Sequence, residues 1–276
     1  MDILAALKKE GFVFSKKYGQ NFITDEKLLD DIVADARLDK SDTVLEIGAG
    51  AGTLTRALAR RAGRVIAFEI DRSLETVLDG NLSGLSNVEV IYDDVMKWTD
   101  EELVAVAGGK YKVTANLPYY ITTPLLFKFL DLSAPPQSIT VMVQKEVAER
   151  ICATEKTGDY GALSVSVAVR AVASITRIVT RDMFTPPPSV DSAVVRMEMR
   201  ASTGAADDAT LFGLIRKAFA MKRKTLVNNL SAGYGVGKDT AESWLAAVGI
   251  GRTARAEELS PDMFIRLADL IYEKIG

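Results

Sequence analysis

The 276-residue sequence predicts an α/β protein in which helices cover both faces of a parallel sheet, followed by a small helical domain. Between about residues 42 and 153, short apolar segments typical of strands alternate with amphipathic segments typical of helices. Regular alternation of this kind calls for a parallel sheet with crossover helices. Beyond residue 202 the pattern predicts helices alone. We therefore expect one domain at residues 1–202, including an N-terminal segment ahead of the sheet, and a helical domain at residues 203–276.

Five segments predict the strands of the sheet, each short, rich in apolar or β-branched residues and bounded by turn or charged residues. They are DTVLEI (42–47), RVIAFEID (64–71), NVEVIYDDV (87–95), YKVTANLPY (111–119) and QSITVMVQ (137–144). Amphipathic segments between and after these strands predict helices. They span residues 53–63, 72–82, 100–109, 122–132 and 145–153.

The pattern is less regular after residue 158. Residues 160–173, YGALSVSVAVRAVA, have a mixed periodicity that fits a helix or a strand, and we prefer the helix. Residues 174–181 and 192–199 alternate as strands on either side of the proline-rich FTPPPSVD. Small and polar residues at 201–208 indicate a linker. Helices are then predicted around residues 211–220, 239–248 and 261–275.

Residue types that the chain lacks exclude several kinds of chemistry. It contains no histidine and a single cysteine, Cys152. Ser-His-Asp catalysis, histidine-ligated metals, cysteine-rich zinc sites and a disulfide framework are therefore excluded, and we predict no metal site. Cys152 fits a small buried residue better than a nucleophile. The chemistry must depend on other side chains or on a cofactor.

The charges are unevenly distributed along the chain. The net charge is −3, and residues 31–109 alone contain 15 acidic and 8 basic residues. Two basic clusters lie outside that segment, Lys16 with Lys17 and Lys222 with Arg223 and Lys224. The composition is therefore compatible with a phosphate-binding face. The N-terminus has the features of neither a secretory signal nor a transit peptide, and no apolar run reaches membrane-spanning length, so we expect a cytoplasmic protein.

Polar or flexible residues follow four successive predicted strands. They are Gly48, Gly50 and Gly52, then Glu69 and Asp71, then Asp93 and Asp94, and finally Asn116. In a doubly wound sheet, ligands bind outside the carboxyl ends of the strands. This register favours a cofactor site, although each feature alone also fits an ordinary turn or a solvated loop residue.

The glycine spacing distinguishes between two cofactors. Nicotinamide binding needs G-x-G-x-x-G, and the last position is Thr53 or Thr55 in the two possible registers. The spacing is instead Glu46-x-Gly48-x-Gly50-x-Gly52, which resembles the S-adenosylmethionine loop of class I methyltransferases. Glu69 would then accept hydrogen bonds from both ribose hydroxyls, a role that suits either cofactor.

The fourth strand ends at Asn116, Leu117, Pro118 and Tyr119, because proline cannot donate to a sheet ladder. With a methyl donor bound, the Asn116 side-chain oxygen and the Leu117 carbonyl could accept both N–H bonds of an adenine amine. Pro118 would fix the bend, and Tyr119 would stack on the base. The alternative is a strand exit with a buried tyrosine. We assign the adjacent Tyr120 to packing.

Motifs in order along almost the whole chain resemble the ribosomal RNA adenine N6,N6-dimethyltransferase family in its bacterial small-subunit form. They are KKYGQNFITD, LEIGAGAGTLT, NLPYYITTPLLF, VQKEVAERI, YGALSV, FTPPPSVDSAVVR and AFAMKRKTLVNNL. The resemblance implies a class I (Rossmann-like) S-adenosylmethionine-dependent methyltransferase sheet with a small C-terminal helical domain. It also implies dimethylation at N6 of two adjacent adenosines near the 3′ end of 16S rRNA in the 30S subunit, as part of 30S biogenesis.

The resemblance further implies roles for individual residues. The cofactor-binding residues would be Asn21, Ile23, Gly48, Gly50, Glu69, Asp94 and Asn116. Phe184 would hold the target base against Tyr119, although it also fits a core position before a proline turn. Both basic clusters would contact RNA phosphates, although a solvated helix face explains them equally well.

Three alternatives remain beside this interpretation. A macrolide-resistance methyltransferase acting on large-subunit RNA shares the fold and the glycine loop, but AFAMKRKTLVNNL and FTPPPSVDSAVV favour the small-subunit enzymes. A mitochondrial relative is disfavoured because no transit peptide precedes GQNF. An assembly checkpoint, in which binding to an immature subunit matters more than catalysis, is compatible with the same resemblance. We expect a monomer with 16S rRNA as its partner and no membrane partner.

Overall fold

The structure, a computed structural model, describes residues 21–275 and contains two compact units. An α/β unit comprises the described residues up to Ala148 together with Ser174–Glu198. A helical unit comprises Glu149–Ala173 and the described residues from Met199 onward. The division differs from the predicted boundary in two segments, residues 149–173 and residues 199–202, which both belong to the helical unit. Tyr160, Val165 and Val169 are buried in the core of the helical unit, which explains the difference at residues 149–173.

Seven strands form one sheet and two short strands form another. In the large sheet the strands are β2 (Thr43–Ile47), β3 (Arg64–Phe68), β4 (Val88–Ile91), β5 (Lys112–Asn116), β6 (Ser138–Gln144), β7 (Ala171–Val179) and β9 (Ser192–Met199). Their order is β4-β3-β2-β5-β6-β9-β7. The five strands from β4 to β6 are parallel, which confirms the five predicted strands, and β9 runs antiparallel to β6. The small antiparallel sheet pairs β1 (Phe22–Ile23) with β8 (Phe184–Thr185).

Helices of the α/β unit cover the sheet. They are Glu26–Asp35, Thr53–Arg61, Glu75–Leu82, Asp100–Ala107, Thr122–Asp131 and the first part of Lys145–Ile151. Val44 and Leu45 point to opposite faces of β2 and are both fully buried, so both faces are covered. The helix Glu26–Asp35 was not predicted, although Asp25 caps its start by accepting a hydrogen bond from the Leu28 backbone N–H at 2.7 Å.

The helical unit has its own apolar core. Its helices are Ala162–Arg170, Asp208–Ala218, Leu226–Tyr234, Lys238–Ala247 and Pro261–Ile275. The helix preferred at residues 160–173 is confirmed over Ala162–Arg170, and β7 begins at the next residue. The helix Leu226–Tyr234 was not predicted. Within residues 21–275, no helix has the length and apolar character needed to cross a membrane.

Candidate active site

A cleft opens at the carboxyl ends of the central parallel strands in the α/β unit. Most of the residues that the sequence predicted for the site line this cleft. They are Asn21, Ile23, Gly48, Gly50, Glu69, Asn116, Leu117, Pro118 and Tyr119. Residues nearly 100 positions apart therefore meet at one place, as expected where parallel strands end together.

The glycine loop after β2 has a backbone conformation that residues with a side chain rarely adopt. Gly48 and Gly50 have φ values of +80° and +58°, in the left-handed region. The Phe68 carbonyl accepts hydrogen bonds from the backbone N–H groups of Gly48 at 2.8 Å and Ala49 at 3.0 Å, which fix the loop to β3. A Cβ atom at Gly50 would lie 2.9 Å from the Phe22 ring. Glycine at position 50 is therefore required both by backbone conformation and by space.

Glu69 joins the glycine loop to the end of β3. Its Oε2 atom accepts a hydrogen bond from the Gly50 N–H at 2.7 Å, and its Oε1 atom accepts one from the Asp71 N–H at 2.8 Å. The side chain is buried, and this burial raises the pKa of Glu69 above its usual range. A carboxylate has about four lone-pair positions. One of them binds the glycine loop and one binds the Asp71 backbone, which leaves positions for a ligand.

The Asn116 amide is oriented by a contact with the segment before β1. Its Nδ2 atom donates a hydrogen bond to the Asn21 carbonyl at 3.2 Å, so its Oδ1 atom points in another direction. The ladder extends one residue beyond β5, since the Leu117 N–H donates to the Met142 carbonyl at 3.1 Å. Pro118 then ends the ladder, as its missing N–H requires.

The Pro118 carbonyl is held by the start of the following helix. It accepts hydrogen bonds from the Ile121 N–H at 3.1 Å and from the Thr122 Oγ1 hydroxyl at 3.0 Å. The backbone bend that leads from Asn116 to Tyr119 is therefore fixed on its helical side.

Three aromatic residues have different environments. Tyr119 lines the cleft, and its phenol lies 2.7 Å from the Ser192 hydroxyl. Tyr120 is 57% exposed and also lines the cleft, so its assignment to packing was wrong. Phe184 is 3% exposed and packs with Ile23 and Met142 in the core, where β8 pairs with β1. This position matches the core interpretation of Phe184, and its role in base stacking stays a prediction.

The remaining predicted site residues lie outside the cleft lining. Asp94 begins the short turn Val95–Lys97, where its Oδ1 atom accepts a hydrogen bond from the Met96 N–H at 3.0 Å. Its predicted place near the cofactor adenine stays a prediction.

The basic residues predicted to contact RNA belong to two parts of the chain. Lys222, Arg223 and Lys224 are exposed on a turn between two helices of the helical unit, not on a helix face. Lys16 and Lys17 lie outside the described residues. Within residues 21–275, no three acidic or cysteine side chains are grouped to hold a metal ion.

The sequence interpretation gave no role to Glu46 and Ile70, which also line the cleft. Glu46 is 1% exposed, and among the described residues neither carboxyl oxygen has a hydrogen-bond partner. Burial raises the pKa of Glu46 to about 8, which favours the neutral carboxyl. Ile70 presents an apolar surface that is 48% exposed. The glycine spacing that starts at Glu46 was a usable signal for the first residue, whereas nothing in the sequence marked the second.

Comparisons with known proteins match nearly the whole chain. The family model for ribosomal RNA adenine dimethylases matches residues 11–273. The chain is 42% identical over 274 residues to ribosomal RNA small subunit methyltransferase A of Listeria monocytogenes serotype 4a (strain HCC23), which covers 96% of this chain and 93% of that protein. It is 40% identical over 274 residues to the protein of the same name from Clostridioides difficile (strain 630), and this alignment covers 98% of this chain and 95% of that protein.

Two solved structures are similar over most of the chain. A dimethyladenosine transferase from Plasmodium falciparum aligns with a TM-score of 0.76 and 27% identity, over 92% of this chain and 98% of that one. The 23S rRNA methyltransferase ErmE aligns with a TM-score of 0.66 and 28% identity, over 91% of this chain and 100% of that one. The chain therefore belongs to the ribosomal RNA adenine dimethylase family and is an S-adenosylmethionine-dependent methyltransferase.

Proposed function

We propose that this enzyme dimethylates N6 of two adjacent adenosines near the 3′ end of 16S rRNA within the 30S subunit, and so contributes to 30S biogenesis. Two bacterial relatives at 40% identity or more are named as small-subunit rRNA methyltransferases. The observation that best supports the chemistry is the oriented amide of Asn116, whose oxygen is left for an incoming amine because its nitrogen binds the Asn21 carbonyl.

We propose that S-adenosylmethionine binds in the cleft, and four features of the cleft support this. The glycine loop lets a ligand lie against the backbone, and Glu69 retains lone pairs for the ribose hydroxyls. Ile70 offers an apolar face to the adenine ring. The partnerless Glu46 carboxyl offers an acceptor to the ammonium group of the methionine moiety, beside Gly48. When bound there, the cofactor supplies an electrophilic methyl group, whose transfer leaves a neutral sulfide and releases one proton from N6.

The other predicted cofactor contacts complete the same pocket. Asn21 and Ile23 line the same cleft as the glycine loop, and the Asn116 nitrogen binds the Asn21 carbonyl. We propose that Asn116 bridges the cofactor and the target base. We propose that Asp94 binds the adenine end of the cofactor from the turn that follows β4.

The adenine amine must be activated without a strong base, since its lone pair is delocalised into the ring. We propose that Asn116 Oδ1 accepts one N–H bond and that the Leu117 carbonyl accepts the other. This arrangement favours a pyramidal nitrogen whose lone pair points at the methyl group. The Pro118 carbonyl already accepts two hydrogen bonds, which supports Leu117 as the second acceptor. The mechanism is compatible with a chain that has no histidine.

The target adenine must leave its stack before it can reach this pocket. We propose that it packs on Tyr119, with Phe184 as the second aromatic face. Phe184 would have to turn out of the core to make that contact, because its side chain is buried in the present structure.

Contacts to RNA phosphates are proposed for exposed basic residues. Lys222, Arg223 and Lys224 are accessible on their turn, and Lys16 and Lys17 have the same role by sequence. We propose that the enzyme acts as a monomer in the cytoplasm, where 30S subunits are assembled.

The test is methyl transfer from labelled S-adenosylmethionine to 30S subunits that lack the modification, followed by mapping of the labelled nucleotides. We expect two methyl groups on each of two adjacent adenosines, and no label on 50S subunits. Label confined to 50S RNA, together with macrolide resistance in cells, would overturn the proposal in favour of a large-subunit reaction.

A further inference from the structure

Ser192 is a buried residue that neither the sequence interpretation nor the proposed reaction uses. It is fully buried at the start of β9, and its hydroxyl is 2.7 Å from the Tyr119 phenol. We propose that Ser192 is a positioning residue that fixes the ring of Tyr119 against the target base and thereby supports the second methyl transfer. This inference rests on the proposed function.

The topology explains how Ser192 reaches the cleft. β9 runs antiparallel to β6, so its first residue pairs with Gln144 at the carboxyl end of β6, the same edge at which Asn116 ends β5. Asp191, the residue before Ser192, is held by two hydrogen bonds. Its carbonyl accepts one from the Lys145 N–H at 3.0 Å, and its Oδ1 atom accepts one from the Arg181 N–H at 3.0 Å. The hydroxyl of Ser192 is therefore presented from a fixed backbone.

Tyr119 is consequently held at both ends. Its backbone follows Pro118, whose carbonyl binds Ile121 and Thr122, and its phenol binds Ser192. Burial raises the pKa of Tyr119 above its usual range, so the phenol stays protonated at neutral pH. A neutral phenol in a hydrogen bond is suited to holding a ring in place and not to removing a proton.

The second transfer depends on this ring more than the first. Unmodified N6 has two N–H bonds for Asn116 and Leu117, whereas monomethylated N6 has one. Once one of the two hydrogen bonds is lost, the orientation of N6 toward the methyl group depends more on the stacking of the base on Tyr119. A ring that can rotate away from its position should therefore slow the second transfer more than the first.

The experiment compares Ser192→Ala and Tyr119→Phe, which remove the same hydrogen bond from opposite sides. In single-turnover reactions on unmodified 30S subunits, we expect both variants to lower the second rate constant about fivefold to tenfold and the first by less. Monomethyladenosine should accumulate in both, and the double variant should resemble the single variants. Tyr119→Phe keeps the test valid if Ser192→Ala folds poorly.

Fluorotyrosine labelling gives a readout that is independent of activity. The ¹⁹F resonance of Tyr119, assigned by its loss in Tyr119→Phe, should move or broaden in Ser192→Ala while the other tyrosine signals stay in place. Ser138→Ala is the matched control, because Ser138 is a buried serine at the opposite end of β6. It should leave both the product ratio and the Tyr119 resonance unchanged.

The outcomes separate this inference from the proposed function. If the wild-type enzyme does not methylate 30S subunits, the proposed function fails. If the wild type dimethylates them and the two variants give wild-type ratios of monomethyl to dimethyl product, the role of Ser192 is overturned. Additive losses in the double variant would also overturn it, because the two changes would then not act through one bond.

Discussion

At the scale of single residues, Asn116 has one observed contact and one proposed role. Its nitrogen binds the Asn21 carbonyl at 3.2 Å, and its oxygen is assigned to the target amine. We expect Asn116→Ala to lower methyl transfer about 100-fold or more, as does loss of a group aimed at a reacting centre. Binding to 30S subunits, measured by co-sedimentation, should be nearly unchanged because phosphate contacts supply most of the affinity.

Asn87→Ala is the matched control for that variant. The Asn87 amide also binds backbone carbonyls, those of Ala59 at 3.0 Å and Ala62 at 3.2 Å, but it precedes β4 at the other edge of the sheet. We expect this control to lower the thermal midpoint and to leave the transfer rate per folded enzyme unchanged. A wild-type rate in Asn116→Ala would rule out the amide as an acceptor.

Individual site residues differ in how far the sequence can predict them. Asn116 and Gly50 can be predicted from local sequence, because a strand that ends before a proline and a turn that needs glycine both have a recognisable residue spacing. The exposure of Tyr120 and the burial of Phe184 depend on tertiary packing, and for Phe184 that packing includes the pairing of β8 with β1. Glu46 was overlooked because a single acid within an apolar strand shows neither its burial nor its lack of a partner.

At the scale of elements, Asn229 holds the basic turn, which is the turn that contains Lys222, Arg223 and Lys224. The Asn229 Oδ1 atom accepts a hydrogen bond from the Met221 N–H at 3.1 Å, and its Nδ2 atom donates to the Ala218 carbonyl at 2.7 Å. The side chain is 2% exposed, so the core of the helical unit holds the turn. The second asparagine of LVNNL is thus structural, a role that the motif alone did not show.

Replacement of Lys222, Arg223 and Lys224 by alanine should weaken binding to 30S subunits through lost phosphate contacts. We expect the slope of log affinity against log salt to become shallower by about 2 to 3, since each phosphate contact contributes about 0.7 to 0.9. Cofactor affinity, measured by calorimetry, should not change. The variant Lys222→Arg with Lys224→Arg keeps the charge and should keep the slope, whereas an unchanged slope in the alanine variant would exclude the turn from the interface.

Elements with a strong period were predicted well, and those fixed by their partners were not. The five parallel strands are confirmed because each has a short segment rich in apolar or β-branched residues that ends at turn or charged residues. The helix Leu226–Tyr234 was missed because two asparagines and Gly233 weaken its local signal. Tertiary packing compensates for that weakness, with Leu226, Val227 and Leu230 buried in the core.

At the scale of the whole molecule, the buried Glu46 carboxyl should couple stability to pH. Its pKa rises from 4.5 to about 8 on folding, so between these values the folded state binds a proton that the unfolded state has lost. The stabilisation linked to that proton is complete below about pH 4.5 and is lost as the pH rises through about 8. The chain has no histidine to titrate near pH 6 to 7, and Glu69, whose pKa is also raised, is present in both the wild type and the variant compared below.

Urea unfolding of the wild type and Glu46→Gln between pH 5 and 9 measures this coupling. As the pH rises, the free energy of unfolding of the wild type should fall by up to about 1.4 kcal/mol per pH unit relative to that of Glu46→Gln, because the glutamine stays neutral. This fall should end once the carboxyl ionises in the folded state. A Trp244→Phe background leaves Trp98, which packs on Phe68 in the same unit as Glu46, as the tryptophan signal. The exposed Glu101→Gln is the control and should follow the wild type. Parallel curves for the wild type and Glu46→Gln would mean that the Glu46 carboxyl titrates alike in both states, and its burial would then have no part in the pH dependence of stability.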